Sequence, residues 1–222
     1  MDDRPLFEVV TPAASAAARR LVTAAYVGAT METPPADAVL ESYIDEVSAR
    51  AAEFCRLAKD AIGTPPTFAA EALRATWFGT SATRGPRLLL PWRVPVTSIT
   101  SVVEDGVTLT ANDDYRLFAG GILERQSLDD PVDWSSAKIV VVYAAGWAST
   151  LSTNAPPDLR AAIAEQVKYR SLLISENPSI RSEAEPDVYS ATYALPGGDN
   201  IGTSGLLVQV ESALGPYRHI SI

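Results

Sequence analysis

The apolar and polar positions divide the chain into a helical zone, a β-rich zone and a second helical zone. In the first zone, the pair Thr11-Pro12 is typical of a helix start, and the alanine-rich stretch that follows predicts a helix to Val27. A stronger helix is predicted over residues 35–59, because apolar residues recur there at three- and four-residue steps. Cys55 lies on the apolar side of this helix and is interpreted as a core residue.

The second zone, residues 63–150, has the turn residues and β-branched runs of a small antiparallel sheet. Asp105-Gly106 predicts a type I′ hairpin turn, and Ala119-Gly120-Gly121 predicts a second hairpin connection. The last strand is a continuous apolar run, which indicates a buried strand that closes the sheet. The predicted strands are Thr67–Phe78, Arg87–Leu90, Val96–Glu104, Val107–Thr110, Tyr115–Phe118, Ile122–Arg125 and Lys138–Tyr143. The first of them also has alanines that suit a helix, which is the alternative interpretation of that segment.

The third zone begins with a proline-containing cap near Asn154 and predicts a helix that runs to about Ser175. Beyond it, residues 178–222 are rich in Ser, Glu, Pro and Gly, which is typical of an extended arm, and Gly205–Leu214 predicts a short helix within that arm. The fold class expected is therefore α+β. A helical bundle body from residues 1–62 and 151–177 would carry an inserted antiparallel β domain at 63–150 and a C-terminal arm.

Composition narrows the possible chemistry. The 222 residues include 18 Lys+Arg against 27 Asp+Glu, a net charge of −9, which argues against a chain whose main affinity comes from neutralising phosphates. Cys55 and His219 are the single cysteine and histidine, so a zinc site would rest on carboxylates and Ser-His or Cys-His catalysis on a residue near the terminus. Phosphate-cradling glycine motifs are absent from the sequence. We expect no catalytic residue, no cofactor and no metal.

The sequence also bears on location. The start, Met1–Arg4, is acidic where a signal peptide is basic, and the longest apolar run, Ile139–Trp147, is far shorter than the ~20 residues that cross a bilayer. These features predict a cytoplasmic protein with no membrane partner.

Several short segments carry a family resemblance through their order and spacing. They are P-V-T-S-I-T-S-V at Pro95–Val102, D-G-V-T-L at Asp105–Leu109, D-Y-R-L at Asp114–Leu117, G-I-L-E-R at Gly121–Arg125, V-V-Y-A-A-G-W at Val141–Trp147, P-P-D-L at Pro156–Leu159 and L-G-P-Y-R at Leu214–Arg218. Together they resemble the head-tail connector, or adaptor, proteins of tailed phages and related gene transfer agents. The resemblance covers the chain from about residue 35 to the C-terminus, and the first 30 residues match least well.

The resemblance implies a structural protein with no enzymatic activity. Members of this family form a ring, usually of twelve copies, below the portal protein at the capsid vertex. The ring extends the DNA channel and docks the next stopper, neck or tail protein, so DNA would pass through without specific binding. The protein would be made in the bacterial host cytoplasm and would reside in the virion neck.

Two charged groups in the β zone are candidate sites. One is an acidic channel lining or rim, and a plain solvated rim is the alternative interpretation; its residues are Asp113, Asp114, Glu124, Asp129, Asp130 and Asp133. The other is an interface with a neighbouring subunit or neck protein, with ordinary strand-flanking arginines as the alternative; its residues are Arg84, Arg87, Trp92 and Arg93.

The C-terminal arm is the candidate portal-binding element. Asp187–Leu195 is β-competent and could add a strand to a sheet edge, while Gly205–Leu214 could lie in a groove between portal subunits. The alternative is a tail that folds back to cover the N-terminal helices of its own subunit. The candidate residues are Val188, Tyr189, Tyr193, Leu206, Leu207, Val210, Leu214, Tyr217 and Arg218.

Two functions of other classes remain open at this point. One is a monomeric β-rich binding module whose terminal arm docks a single partner. The other is a hydrolase that uses two carboxylates, which would need a pocket with carboxyl groups about 5–10 Å apart. Asp113-Asp114 and Asp129-Asp130 are the adjacent carboxylate pairs that the second function would draw on, although no histidine or lysine lies beside them.

Overall fold

The computed structural model describes residues 5–13, 15–59, 65–79, 85–91, 93, 95–134, 138–147, 151–175, 182–185, 189–192, 201–202 and 204–218. The chain is α+β and divides into two compact units. We call Met1–Arg19, Arg56–Leu151 and His219–Ile222 the sheet unit, and Arg20–Cys55 with Ser152–Arg218 the helical unit.

Eleven strands are present among the described residues, and all their pairings within sheets are antiparallel. They are β1 (Leu6–Thr11), β2 (Glu71–Trp77), β3 (Arg87–Leu89), β4 (Val96–Glu104), β5 (Val107–Thr108), β6 (Tyr115–Phe118), β7 (Ile122–Ser127), β8 (Asp130–Pro131), β9 (Ile139–Ala145), β10 (Ser182–Glu185) and β11 (Tyr189–Thr192).

The first sheet has five strands in the order β1-β2-β9-β4-β5. Its central strand is β9, whose residues Ile139, Val141, Tyr143 and Ala145 are buried in alternation. The sequence predicted that this strand is buried, which is confirmed, but the prediction that it closes the sheet is wrong. Because β9 is apolar on both faces, it is stable between two neighbours, β2 and β4, rather than at an edge.

The second sheet has the order β3-β7-β6, with β8 paired to β7. The sequence predicted one sheet for residues 63–150, whereas the described strands of this zone belong to two sheets, because the β6–β7 hairpin pairs with β3 instead of joining β4 or β9. The inward faces of both sheets share one core. Leu88, Tyr115 and Leu123 of the second sheet belong to the same buried cluster as Leu73 and Val102 of the first.

The turn chemistry of the β zone agrees with the sequence at the predicted hairpin. Asp105 and Gly106 both have positive φ, 50° and 83°, as a type I′ turn requires, so this prediction is confirmed. Gly146 follows β9 with φ of 105°, and a Cβ at this position would collide with the backbone carbonyl of Ala69. Only glycine combines this φ with this close approach.

The described helices are shorter and more numerous than the sequence predicts. The predicted helix from Thr11 to Val27 is wrong, because Thr11 is the last residue of β1 and the alanine-rich stretch is interrupted before Thr23. The Thr23 hydroxyl accepts a hydrogen bond from the Tyr26 N–H at 3.1 Å, so it starts a new helix. The helices are α1 (Ala16–Arg19), α2 (Ala24–Gly28), α3 (Asp37–Phe54), α4 (Leu151–Asn154), α5 (Pro157–Ser175) and α6 (Val208–Leu214), followed by a 3₁₀ turn (Gly215–Tyr217).

In the helical unit, α3 and α5 pack against each other, and α6 packs against α5. The predicted amphipathic pattern is realised, since α3 buries Leu40, Ile44, Val47 and Ala51 on one side. The helix ends at Phe54 instead of Lys59, because the chain turns into a left-handed conformation just after it. The predicted helix to Ser175 is confirmed as α5.

The predicted extended arm contains a hairpin of its own. Strand β10 pairs with β11 in register from Ser182↔Thr192 to Glu185↔Tyr189. The segment Asp187–Leu195 was predicted to be able to form a strand, and its residues 189–192 form β11, which pairs with β10 of the same chain. Two residues of the candidate portal-binding set, Val188 and Tyr193, lie outside the described residues.

Candidate interaction surface

The outward face of the second sheet carries a row of apolar side chains, exposed at its two ends and partly buried in the middle. Leu89, Ile122 and Phe118 lie directly opposite one another on β3, β7 and β6. Leu89 is 52% exposed and Phe118 is 38% exposed, whereas Leu88 and Leu123 on the other face are buried. The alternation of a strand explains this contrast, since successive side chains point to opposite faces. Because neighbouring apolar side chains on a solvent-facing row can mark an interaction surface, we treat this row as a candidate.

A charged row lies beside the apolar row on the same face. Arg87 and Arg116 both lie opposite Glu124 in the strand register. Arg87 Nε is 2.6 Å from Glu124 Oε2, and the carboxylate is nearly buried while the arginine is largely exposed. The Arg87 guanidinium also lies 5.9 Å from the centre of the Phe118 ring, within cation–π range. We call these two rows, Leu89, Ile122, Phe118, Arg87, Glu124 and Arg116, the outer face.

The net charge of the outer face is positive. Glu124 neutralises one of the two arginines, and Arg116 has no ion-pair partner among the residues that the structure describes. Arg87 was a sequence candidate for an interface, and it is exposed on this face. Glu124 was a candidate for an acidic channel or rim, but its carboxylate is instead engaged by Arg87 and is hardly exposed to solvent.

The β7–β8 hairpin ends in a tip of opposite charge. Leu128 and Asp129 form its two-residue turn, both with positive φ, and Asp130 opens β8. Leu128 is 93% exposed, the most exposed large apolar side chain of the described residues. Both aspartates, which were sequence candidates for an acidic channel or rim, are exposed. We call Leu128, Asp129 and Asp130 the hairpin tip.

The other acidic candidates are divided between solvent and internal contacts. Asp113 and Asp133 are exposed. Asp114 is half-buried, accepts a hydrogen bond from the Thr110 N–H at 2.8 Å and lies 3.6 Å from Arg125. Its carboxylate therefore stabilises the turn before β6, so only part of the predicted acidic group is available to face DNA or a partner.

Arg93 has a different role from the interface anchor that the sequence suggested. Its side chain is buried in the sheet unit, where Nη1 lies 2.8 Å from Glu71 Oε2 and also donates to the Thr67 carbonyl. Burial lowers the pKa of the Arg93 guanidinium, and the carboxylate of Glu71 opposes this shift. Since Arg93 is not exposed, its assignment to an interface is corrected to a core ion pair. Arg84 and Trp92 lie outside the described residues.

Four of the nine C-terminal candidates are core residues of the helical unit. Leu206, Leu207, Val210 and Leu214 are buried within the helical unit, where α6 packs on α5 and α3. The Leu207 N–H donates to the buried Gln166 side chain at 2.8 Å, which fixes the entry to α6. These four side chains therefore fold back on their own unit, the alternative that the sequence left open, and they present no free docking surface.

Tyr217 and Arg218 also contact residues of the helical unit. The Tyr217 hydroxyl donates to Asp158 at 2.9 Å, and the Arg218 guanidinium lies 5.0 Å from the Phe54 ring centre. Burial, and then the Asp158 carboxylate, raise the pKa of Tyr217 to about 12. Tyr189 belongs to β11.

The described residues outside these surfaces were also compared with the requirements of a reactive thiol, a metal site and a membrane span. The buried Cys55 thiol donates to the Leu214 carbonyl at a sulfur–oxygen distance of 3.8 Å, and burial raises its pKa to about 12. It is a core residue, as the sequence predicted. The described residues contain no group of three or more His, Cys, Asp or Glu side chains arranged to hold a metal ion. No helix in the described part of the chain has the length and apolarity needed to span a membrane.

Sequence reasoning missed the apolar part of this surface. Leu89, Ile122 and Phe118 come from three separated strands, so no contiguous motif marks them. The available signal was their alternation with Leu88 and Leu123, which assigns the two sets to opposite faces once the pairing is known.

Comparison with solved structures identifies the fold of this chain. No protein-family model and no curated protein sequence matches the chain. A chain in the neck of an empty GTA particle, computed with C6 symmetry, superposes with a TM-score of 0.56 at 17% identity, over 97% of this chain and 96% of that chain. The chain has the fold of a gene transfer agent neck chain.

Two further structures show the same neck-chain fold. A chain in the neck of a native GTA particle, computed with C12 symmetry, gives a TM-score of 0.54 at 16% identity, over 97% of this chain and 96% of that chain. A chain in the virion of a native gene transfer agent particle gives 0.55 at 15% identity, over 98% and 97%. The resemblance drawn from the sequence is confirmed at the level of the fold, and the neck-chain fold extends over nearly the whole protein.

Proposed function

We propose that the chain is a structural head-tail connector subunit that forms a ring in the neck of a phage-like or gene transfer agent particle. The observation that carries this proposal is the likeness over 97% of the chain to neck chains whose assemblies were computed with C6 and C12 symmetry. A C12 assembly repeats each subunit twelve times around its axis, so we infer a ring of twelve copies. The helical unit would form the body of each subunit.

The charge of the chain supports a channel through which DNA passes without specific binding. At a net charge of −9 the protein repels phosphates over distances of about a Debye length, ~8 Å at physiological salt. Asp113 and Asp133 are exposed and remain candidates for a channel lining or rim. No enzymatic activity, cofactor or membrane contact enters this proposal.

The ring would lie between the portal protein above and a stopper, neck or tail protein below. We assign portal binding to the arm that carries Val188, Tyr189 and Tyr193, residues 178–200, because the following segment is already committed to the helical unit. Leu206, Leu207, Val210 and Leu214 would hold the arm to the subunit body. Tyr217, through its hydrogen bond to Asp158, and Arg218, through its contact with the Phe54 ring, would also hold the arm to the body.

Native mass spectrometry and negative-stain imaging of the purified chain, alone and with portal rings from the same particle, test the proposal. Closed rings, free or bound to portals, are expected. A stable monomer that binds no portal would favour the single-partner binding module, and a closed dimer with a carboxylate-lined cleft would favour the hydrolase; either would overturn the connector.

The arm assignment has its own test. Replacing Ser182–Thr192 with a Gly-Ser linker of equal length leaves Leu206 to Arg218 in place, so the helical core is retained, whereas truncation after Asn177 would remove buried residues as well. The linker variant is expected to form rings but to lose attachment to portal-bearing heads. The exposed α5 substitution Leu172→Ser serves as a matched control and should attach normally. Unchanged attachment of the linker variant would refute the arm assignment.

A further inference from the structure

We propose that neighbouring subunits join through the sheet unit, with the hairpin tip of one copy seated on the outer face of the next. The inference rests on the proposed ring and names the surfaces that would build it. The tip offers Leu128 flanked by Asp129 and Asp130, and the outer face offers an apolar row beside Arg87 and Arg116.

The apolar parts of the two surfaces match. Leu128 is 93% exposed, and burial of a leucine side chain is among the larger favourable contributions that one residue makes to an interface. On the outer face, Leu89 and Phe118 flank Ile122 as a contiguous apolar row. Each surface exposes apolar atoms that the other would cover.

The charged parts also match. The tip carries two exposed carboxylates, Asp129 and Asp130, with no basic residue between Ser127 and Asp133. The outer face carries Arg116, which has no ion-pair partner among the described residues, beside Arg87, which is already paired with Glu124. Opposite charges beside matching apolar patches give both attraction and register.

The positions of the two surfaces favour a second copy as the occupant. Ile122 begins β7, and the tip follows the end of the same strand, so a rise of about 3.3 Å per residue places Leu128 about 20 Å from the apolar row and about 13 Å from the charged row at Glu124. The tip therefore cannot fold onto its own outer face. Two complementary surfaces at separate positions along one strand produce head-to-tail association, which closes into a ring when the rotation between copies divides a full turn evenly without a rise along the axis.

A nucleic-acid occupant is less well matched. Glu124 already neutralises Arg87 at 2.6 Å, which leaves Arg116 as the unpaired cation of the face, whereas phosphate binding increases with the number of cations presented. An apolar row that occupies half of the face also has no counterpart in a phosphate backbone. A second copy satisfies both rows.

The first test removes the apolar contact from the tip. The Leu128→Asn variant keeps a residue that tolerates the left-handed conformation of this turn, so the hairpin fold is retained. Ring formation of the full chain is measured by native mass spectrometry over a concentration series. The concentration at half assembly is expected to rise at least about tenfold, because each contact loses a buried leucine. Val107→Asn, at an exposed apolar residue of another hairpin, is the matched control and should assemble as the unmodified chain does.

The second test exchanges charges between the two surfaces. Asp130→Arg and Arg116→Asp should each weaken assembly when present alone, because each places like charges in every contact. An equimolar mixture should regain rings in which the two variants alternate, since each reversed tip then meets a reversed face. The same rescue is expected in a chain that carries both substitutions.

The outcomes separate this interface from the proposed function. If the unmodified chain forms rings and both single variants assemble equally well, the interface is wrong and the connector remains. If the variants weaken assembly but neither the mixture nor the double variant restores it, direct pairing of tip and face is refuted. If the unmodified chain forms no ring, alone or on portals, the proposed function fails and this interface with it.

Discussion

Arg93 and Glu71 form an ion pair inside the sheet unit, with 2.8 Å between Nη1 and Oε2 and side chains that are 1% and 0% exposed. The pair ties together segments that are distant in sequence. Arg93 Nε donates to the Ala58 carbonyl at 3.1 Å, and Glu71 Oε1 accepts a hydrogen bond from the Ala13 N–H at 3.0 Å. One guanidinium and one carboxylate therefore fix the chain that follows β1 and the chain that precedes β2.

Removal of one partner should be costly. Arg93→Met leaves the Glu71 carboxylate buried without its cation, so the free energy of unfolding is expected to fall by about 3–5 kcal/mol. The matched control is Arg74→Met, in the surface pair with Glu8, where both side chains are more than 40% exposed and a loss of less than about 1 kcal/mol is expected. Urea unfolding followed by tryptophan fluorescence measures both. Equal losses would show that the buried pair contributes nothing beyond a surface pair.

Gly146 should not tolerate a side chain. A Cβ there meets the Ala69 carbonyl and is attached to a residue with φ of 105°, so Gly146→Ala is expected to destabilise the sheet unit by roughly 3 kcal/mol or more. Gly106→Ala is the control, since φ is 83° but open space surrounds the added methyl, and only about 1–2 kcal/mol of backbone strain is expected. Thermal unfolding of the two variants measures the difference. A Gly106 variant that is the less stable of the two would contradict the close approach at Gly146.

The C-terminal helix should act as core. Leu214→Ala is expected to lower the free energy of unfolding by about 2–5 kcal/mol, because the leucine is fully buried within the helical unit. Val208→Ala, at an exposed position of the same helix, should cost less than about 0.5 kcal/mol. These losses of stability should be the same with and without portal protein. If the Leu214 variant were as stable as the unmodified chain, Leu214 would again be a candidate for portal docking.

Stability should fall in alkali partly through Cys55. Burial raises the pKa of its thiol from 9.0 to about 12, so between these values the unfolded chain releases a proton that the folded chain retains. The contribution is present below pH 9 and is lost as the pH rises toward 12, with a slope of up to about 1.4 kcal/mol per pH unit. Urea titrations of the wild type and Cys55→Ala at several pH values measure it. The slope of the variant should be smaller, and identical slopes would place the thiol in contact with water.

Local patterns in the sequence predicted the elements whose stability is local. The amphipathic repeat located α3 and α5, and Asp105-Gly106 located a hairpin, because periodicity and turn chemistry act over a few residues. Strand β1 was missed because Thr11-Pro12 also suits a helix cap, and its pairing with β2 is a tertiary contact that no local pattern encodes. The division into two sheets was missed for the same reason.

The contacts of the charged candidates could not be predicted from the sequence. The residue types of Glu124 and Arg93 are visible in the sequence, but their partners, Arg87 and Glu71, are known only once strands are paired. A charged side chain on a strand can face solvent, pair with a side chain of a neighbouring strand or lie in the core. The strand pairing determines which of these three environments it has. Exposed Leu128 carried no signal, since a single leucine in a turn has no periodicity to identify it.

A cryo-EM reconstruction of the neck of the particle that carries this chain tests the central proposal most directly. We expect twelve copies in one closed ring between the portal and the next neck or tail protein, with DNA passing along the axis. Absence of the chain from the neck, or its presence as copies that do not encircle the axis, would contradict the proposal.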